Sequence, residues 1–319
     1  MNIKDNDNYK IQQSFFDGTE QSHVAQAIKL IQTFEASAIR RNPVGYVVGY
    51  SGGKDSEVLV DLFRKAKVRF MIINNHTTID APETVYFIRR QFAKWEAEGI
   101  PCKIYYPQIN FWSLCLKFGF FPLRRNRFCC AELKERDVPE LRFATYSFGV
   151  RKAESVKRAA HRDSIEMRDK KDYSDIQLFH FDNSEEVKQT DACYTKNYFI
   201  VNPIAYWSEA QVWDYIHENH LDYNPLYDCG MKRVGCIACP MNRHAKEELA
   251  HYPKYEARFR KLADDIIAKR TAEGKPLRNF KTGQEYFEWW IGGGAIPNST
   301  ESTLSDWDNK NLTNKGDEQ

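Results

Sequence analysis

Two hydrophobic periods alternate along this chain. Val24, Ala27, Ile28, Leu30, Ile31 and Phe34 recur at helical spacing, which predicts an amphipathic helix ahead of the first strand. Residues 45–50 form an apolar run that predicts a buried strand. Residues 57–65, with Val58, Leu59, Val60, Leu62 and Phe63, predict a helix. Residues 68–73 read as a second strand and 82–98 as a helix with Pro82 in its first turn. A short strand is expected over 103–106 and another within 141–150, followed by a basic helix over 151–161. A late strand is expected at 198–201, then a helix capped by Ser208 and running to Asn219. Residues 1–20 are polar and expected to be loosely ordered. The charged stretch 162–192 reads as a surface insertion or mobile loop, and the polar tail from Pro297 as disordered. Strands alternating with helices predict an α/β fold with a doubly wound, mostly parallel sheet. After Asn224-Pro225 the pattern changes to a Cys-rich, helical extension. The expected divisions are 1–42 (an N-terminal helical segment), 43–225 (the α/β domain), 226–296 (the Cys-rich and helical region) and 297–319 (the tail).

Composition narrows the function classes. With 319 residues and 42% apolar content, a sizeable core can form. A formal net charge of +2 argues against a dedicated high-affinity nucleic-acid binder but leaves room for local basic patches. One such stretch lies over residues 124–171, which reads either as an anion-binding lip or as a solvated mixed-charge face. No apolar run approaches the length of a membrane span, so a cytoplasmic protein without a membrane partner is expected. Eight cysteines then point to metal or redox chemistry rather than structural disulfides.

The turn between the first strand and its helix is Ser51-Gly52-Gly53-Lys54-Asp55-Ser56. Paired glycines let backbone N–H groups approach an anion, and the helix N-terminus adds a positive dipole end. Ser51 and Ser56 add hydroxyls and Lys54 a point charge. The motif is not a Walker A loop, because Val48 stands where that motif's first Gly belongs and Asp55 follows the lysine. The plain alternative is a glycine-rich turn capping a helix. Five further residues suggest a metal. Cys236 and Cys239 form a C-x-x-C framed by Gly235 and Pro240, Cys229 lies seven residues earlier, and Cys129 and Cys130 are adjacent far upstream. Two thiolates on one tight turn can reach one ion or cluster. The readings are a 4Fe–4S cluster drawing on these five thiols, zinc with His244 as a fourth ligand, or free or redox thiols. Cys102 and Cys115 sit in apolar surroundings and read as core, and Cys193 has no assigned role. Trp289 and Trp290 fall at helical spacing and read as core.

These pieces together resemble the sulfonucleotide (PAPS/APS) reductase family within the PP-loop ATP pyrophosphatase, or adenine nucleotide α-hydrolase (HUP), superfamily. The resemblance rests on Ser51–Ser56, on Thr78-Ile79-Asp80-Ala81-Pro82-Glu83-Thr84 and on Arg127-Phe128-Cys129-Cys130 with Lys134. It also rests on Gly149-Val150-Arg151-Lys152-Ala153-Glu154-Ser155 with Arg158, and on the run from Asn202-Pro203-Ile204 through Trp213 and Tyr223–Tyr227 to Cys236 and Cys239. It spans residues 45–240 or so. Two departures matter. No Cys follows Cys239, so the reductases' C-terminal nucleophile is missing, and the loop keeps the full SGGKDS form used by ATP-splitting members. The set is similar to the reductase-like proteins of DNA phosphorothioation systems and mobile elements.

The resemblance implies an ATP pyrophosphatase that cleaves the α–β bond to adenylate an acceptor for sulfur transfer, with ATP, Mg²⁺ and a 4Fe–4S cluster as cofactors. The nucleotide would be held by Ser51, Gly52, Gly53, Lys54, Asp55, Ser56, Gly149, Arg151, Glu154 and Ser155, with Lys54, Asp55 and Arg151 catalytic. Asp55 is expected either to hold Mg²⁺ through water or to cap the helix, and Glu154 to orient Arg151. Lys134 is expected to balance cluster charge or contact substrate, or simply to face solvent. Expected partners are an adenine nucleotide, a sulfur donor such as a cysteine desulfurase, a nucleic acid or protein complex, and a second copy of the chain. The alternatives are a reductase of PAPS or APS using an external thiol, a nucleotide-binding accessory of a defence or mobile-element complex, and a zinc-bearing tRNA thiolase.

Overall fold

The structure is a computed structural model, and it describes residues 22–136, 138–154, 159, 160, 162–168, 176–179, 198–277 and 279–293. The chain divides into two compact units. The first comprises Met1–Asn74, Pro82–Tyr105 and Asp137–Val234, and the second Asn75–Ala81, Tyr106–Arg136 and Gly235–Gln319.

A seven-stranded sheet organises the first unit. Its strands are β1 (Tyr46–Gly49), β2 (Phe70–Asn75), β3 (Cys102–Tyr105), β4 (Thr145–Phe148), β5 (Ile165–Arg168), β6 (Ile176–Phe179) and β7 (Tyr198–Val201), in the spatial order β3-β2-β1-β4-β7-β5-β6. β1 pairs in parallel with β2 and β4, and β4 in parallel with β7. The strand order therefore reverses between β1 and β4. In a doubly wound sheet the crevice beyond the carboxyl ends of those two strands is where ligands bind. The sheet is α/β and mostly parallel, as the pattern predicts.

Three expectations change. The charged stretch after residue 161 contributes β5 and β6, which join the sheet edge antiparallel. Ile165-Glu166-Met167-Arg168 alternates at strand period, and its charge obscured that signal. Glu166 is fully buried because Asn202 Nδ2 donates to it at 2.6 Å and Arg162 pairs with it at 2.9 Å. Of the expected basic helix over 151–161, Lys152–Glu154 form a 3₁₀ turn and 159–160 are helical, while 155–158 and 161 lie outside the described residues. Arg151 is drawn inward there, and the Lys152 N–H is taken by the Ala205 carbonyl at 2.7 Å. The helix after the glycine-rich turn, α3 (Lys54–Ala66), starts three residues earlier than its apolar periodicity suggested. Residues 155–158, the tail and the N-terminal stretch lie outside the described residues, as does Cys193.

Helices α1 (His23–Thr33), α2 (Glu35–Arg41), α4 (Pro82–Ala97) and α6 (Glu209–Glu218) complete this unit. α6 begins with the expected cap, a reciprocal pair in which Ser208 Oγ accepts from the Gln211 N–H and the Gln211 side chain accepts from the Ser208 N–H. Phe63 of α3 meets Tyr46 of β1 edge-on at 5.0 Å and Phe70 of β2 at 5.5 Å, with none of its surface exposed. Tyr215 of α6 donates to Asp61 of α3 at 2.7 Å, which fixes the two helices together.

The second unit packs α5 (Phe111–Phe118), α7 (Ala245–Ala250), α8 (Pro253–Ala272) and α9 (Gly283–Ile291). Phe121 is fully buried between stacked Tyr286 (5.1 Å) and Trp290 (4.4 Å). Trp290 Nε1 donates to the Pro122 carbonyl at 2.8 Å, so this indole is core. Among the described residues no helix is long and apolar enough to cross a membrane.

Phe63→Ala would leave a cavity at the α3–sheet contact. We expect a loss of about 3–5 kcal/mol from the first unit's stability, read as a lowered denaturation midpoint.

Candidate functional site

The loop after β1 is held from both sides. Tyr50, the residue before it, donates from its hydroxyl to Glu57 of α3 in a short buried hydrogen bond. Asn74 Nδ2 donates to the Tyr50 carbonyl at 2.8 Å. Inside the loop, Ser56 Oγ donates to the Gly53 carbonyl at 2.7 Å and accepts from the Ser51 N–H at 3.3 Å. The Ser56 hydroxyl therefore shapes the loop and is not turned outward as a donor.

Two glycines are dictated by geometry. Gly52 has φ +72, which L side chains rarely adopt, and a Cβ there would sit 2.9 Å from Ile88 Cγ1. Gly149, just past β4, lies against the loop's backbone, where a Cβ would stand 2.9 Å from the Asp55 carbonyl atoms. This glycine lets β4 deliver Arg151 to the loop. Asn224, fully buried, donates to the Gly52 carbonyl at 3.2 Å and to Thr84 Oγ1 at 3.1 Å. It ties the late Asn-Pro segment to the loop.

Lys54, Asp55, Arg151 and Glu209 form one ionic cluster. Lys54 and Arg151 are buried, at 5% and 2% exposure. Arg151 Nε donates to Asp55 Oδ1 at 2.5 Å and Nη2 to Glu209 Oε2 at 3.3 Å. Lys54 Nζ stands 3.4 Å from Asp55 Oδ2 and 3.5 Å from Glu209 Oε1. Burial pushes the Glu209 carboxyl up, but Lys54 and Arg151 outweigh it and hold it below its ordinary value. The Tyr227 hydroxyl accepts from the Lys54 N–H at 3.1 Å, so a side-chain oxygen takes up one N–H of the helix start. Glu154 acts on backbone rather than on the guanidinium, its carboxylate accepting from the Arg151 N–H at 3.0 Å. Ser155 lies outside the described residues. Asp55 does not cap the helix; its carboxylate pairs with Arg151 and Lys54. The carboxylates that a cation could meet here, Asp55 and Glu209, both pair with Lys54 and Arg151, and Glu209 is the more exposed of the two.

Sequence reasoning passed over Glu209, Tyr227, Tyr50 and Glu57 as site residues. Glu209 carried a weak signal, since it follows the Ser208 cap, and Tyr227 closes the Tyr223–Tyr227 motif. Tyr50 and Glu57 read as strand and helix residues because only the fold shows them closing the base of the loop.

In the second unit, Cys129 and Cys130 open a π turn (Cys130–Lys134), and Cys236 and Cys239 flank Ile237-Ala238. Residues 79–80 pair with 236–237: Asp80 bridges Cys236, and the Ile237 N–H donates to the Ile79 carbonyl at 2.9 Å. The Cys236 thiol donates to Thr77 Oγ1 at 3.5 Å and to Asp80 Oδ1 at 3.8 Å. All four thiols belong to the second unit and influence one another electrostatically. A hydrogen bond to Cys130 and burial raise Cys129, and the charges of Cys130, Cys236 and Cys239 add to that. Cys130 is lowered by the same hydrogen bond, with Arg127 and Lys134 assisting. Burial pushes Cys236 up to about 12. Lys134 is exposed and acts on the thiols through its charge. Among the described residues no group of three or more His, Cys, Asp or Glu converges on a single-ion site. A four-iron cluster takes one thiolate per iron, so its ligands need not meet at one point, and the donor chemistry of the four thiols fits it. Cys229 is exposed in the first unit. His244 is exposed, 3.9 Å from Glu247. Cys115 is buried and Cys102 half-buried, in keeping with core roles.

The family model for the phosphoadenosine phosphosulfate reductase domain matches residues 45–242. The chain belongs to this family. The match takes in the loop, the Gly149–Arg151 segment, α6 and both cysteine pairs. Two uncharacterized proteins of Methanocaldococcus jannaschii are each 26% identical, over 231 and 294 residues, covering 72% and 82% of this chain. The chain covers only 50% and 53% of their lengths. An adenosine 5'-phosphosulfate reductase of Staphylococcus epidermidis is 26% identical over 196 residues, covering 60% of this chain and 69% of that protein. Among solved structures, phosphoadenylyl-sulfate reductase from Candida auris aligns with a TM-score of 0.44 at 22% identity, over 69% of this chain and 97% of that one. The U34-tRNA thiolase NcsA from Methanococcus maripaludis, solved with its [4Fe-4S] cluster, aligns with a TM-score of 0.41 at 12% identity, over 88% and 85%.

The Tyr50–Glu57 tie makes stability depend on pH. Burial raises the Glu57 carboxyl from 4.5 to about 8, the Tyr50 hydrogen bond offsetting part of the rise. A carboxyl raised on folding stabilises fully below its unfolded value and loses that contribution as pH climbs through the folded one. Stability should therefore fall between about pH 4.5 and 8. Glu57→Gln should flatten that profile in thermal melts taken across the range, and an unchanged slope would contradict the assignment.

Proposed function

We propose that this member of the family is a PP-loop ATP pyrophosphatase that activates an acceptor for sulfur transfer and carries an iron–sulfur cluster. The observation that carries the reading is the pair of buried cations, Lys54 and Arg151, converging on an intact SGGKDS loop at the strand-order reversal. Two buried cations with a helix N-terminus suit a concentrated anion such as a polyphosphate.

In this reading an acceptor oxygen attacks the α-phosphorus of ATP, the bond from that phosphorus to the α–β bridging oxygen breaks, and pyrophosphate leaves with the electron pair. Lys54 and the loop's backbone N–H groups stabilise the charge that grows on the leaving group. Arg151, with its planar fork, neutralises the phosphoryl oxygens. A sulfur nucleophile then forms a bond at the activated centre and AMP departs. The acceptor is a DNA phosphate, a choice that rests on the resemblance of the motif set. Cys129, Cys130, Cys236 and Cys239 would hold the cluster, which supplies a site for sulfur or electron chemistry. The sulfur donor is a desulfurase-like partner. The full SGGKDS form of the loop favours this reading over the reductase alternative.

Calorimetry on anaerobically purified protein, comparing ATP with PAPS, tests the nucleotide. ATP preference that is lost in Lys54→Ala is expected, and clear PAPS preference would overturn the reading. Iron and sulfide analysis tests the cluster: reconstituted protein should show a broad visible charge-transfer band, and Cys236→Ser and Cys239→Ser should each lose it.

A further inference from the structure

Glu209 differs from Asp55, the other carboxylate of the ionic cluster. The Asp55 side chain is 17% exposed, sits on the same helix as Lys54 and receives the close Arg151 Nε bond. The Glu209 side chain is 60% exposed and stands 3.3 Å from Arg151 and 3.5 Å from Lys54. Charge-assisted N–H···O bonds normally lie near 2.7–2.9 Å, so Glu209 is the loosely held member. It is also dispensable to its own helix, because Ser208 and Gln211 make the cap.

Glu209 also lines a cavity of about 590 Å³ with Trp213, His217, Tyr223, Tyr227 and Lys232. A carboxylate leaving the cluster therefore has adjoining space lined by the Lys232 cation and by Asp228, whose carboxylate accepts from the Tyr223 hydroxyl at 2.9 Å. Tyr227 is shared as well: its hydroxyl sits on the Lys54 N–H, and Lys54 Nζ lies 5.5 Å from its ring centroid. The cluster thus presents two buried cations whose outermost anion is exposed, held at long distance and bordered by open space.

We propose that Glu209 is an exchangeable counter-ion: its carboxylate neutralises Lys54 and Arg151 until a polyphosphate takes its place, and then moves into the adjoining pocket. This rests on the reading of the loop as a polyphosphate site. Glu209 is a positioning residue that keeps the two cations paired in the empty site. It sets the affinity for the pyrophosphate moiety of a nucleoside triphosphate by competing with it.

The test is calorimetry with inorganic pyrophosphate in EDTA, on the full chain and on Glu209→Gln and Glu209→Ala. Removing the competing charge should tighten binding by about three- to tenfold in both variants, and the gap should narrow as salt is raised. Loss of folding cannot produce such a gain. Pyrophosphate bound by wild type with unchanged or weaker affinity in both variants overturns the inference alone. Weakening seen only when Mg²⁺ is present also overturns it, since Glu209 would then be a metal ligand. No binding of pyrophosphate or ATP by any of the three overturns the polyphosphate reading and the inference with it.

Discussion

The Arg151 guanidinium is 2% exposed, and leaving such a buried charge unpaired would cost on the order of several kcal/mol. Arg151 is therefore the demand that the rest of the first unit satisfies. Asp55 neutralises it, which fixes the start of α3 against the end of β4. Gly149 must lack a side chain for that approach to occur. Glu209 completes the pairing, which brings in α6, and Tyr215–Asp61 holds α6 on α3. The Tyr50–Glu57 bond closes the base of the same loop. The parts that set the loop's shape are mostly buried and satisfied internally. The part that faces outward, Glu209, is the one that can be exchanged.

The second unit answers a different requirement. Residues 79–80 pair with 236–237 through backbone hydrogen bonds, which anchors one cysteine pair, and the charges of Cys236 and Cys239 act on Cys129 of the other. Ala238 between Cys236 and Cys239 adopts φ 53, a left-handed conformation that costs a non-glycine residue roughly 1 kcal/mol. The turn keeps this strain while presenting both thiols. The first unit holds the loop with its two buried cations, and the second holds the four thiols.

Much of this was legible in the sequence. The strand–turn–helix around Ser51–Ser56, the alternation behind a parallel sheet and the Ser208 cap are local signals, and local physics produces them. β5 and β6 were not legible as strands, because charge masks the period of Ile165–Arg168 and Glu166 is buried only through Asn202 and Arg162. The 3₁₀ turn at Lys152–Glu154 was not legible as such, because it follows from Arg151 turning inward. Glu209 was only weakly marked as a site residue, by its place after the Ser208 cap, because its role depends on two cations supplied from positions 54 and 151. Tyr50 and Glu57 become a pair only once β1 and α3 are folded. Pairwise electrostatics across long sequence separations is the information that one chain read alone does not display.

The central claim is that the loop directs cleavage between the α and β phosphates. The most direct measurement is chromatographic identification of the adenine nucleotide formed when cluster-loaded protein is incubated with ATP and DNA, alongside Arg151→Lys. AMP with pyrophosphate, strongly diminished in the variant, is the predicted result. ADP with inorganic phosphate would contradict the account.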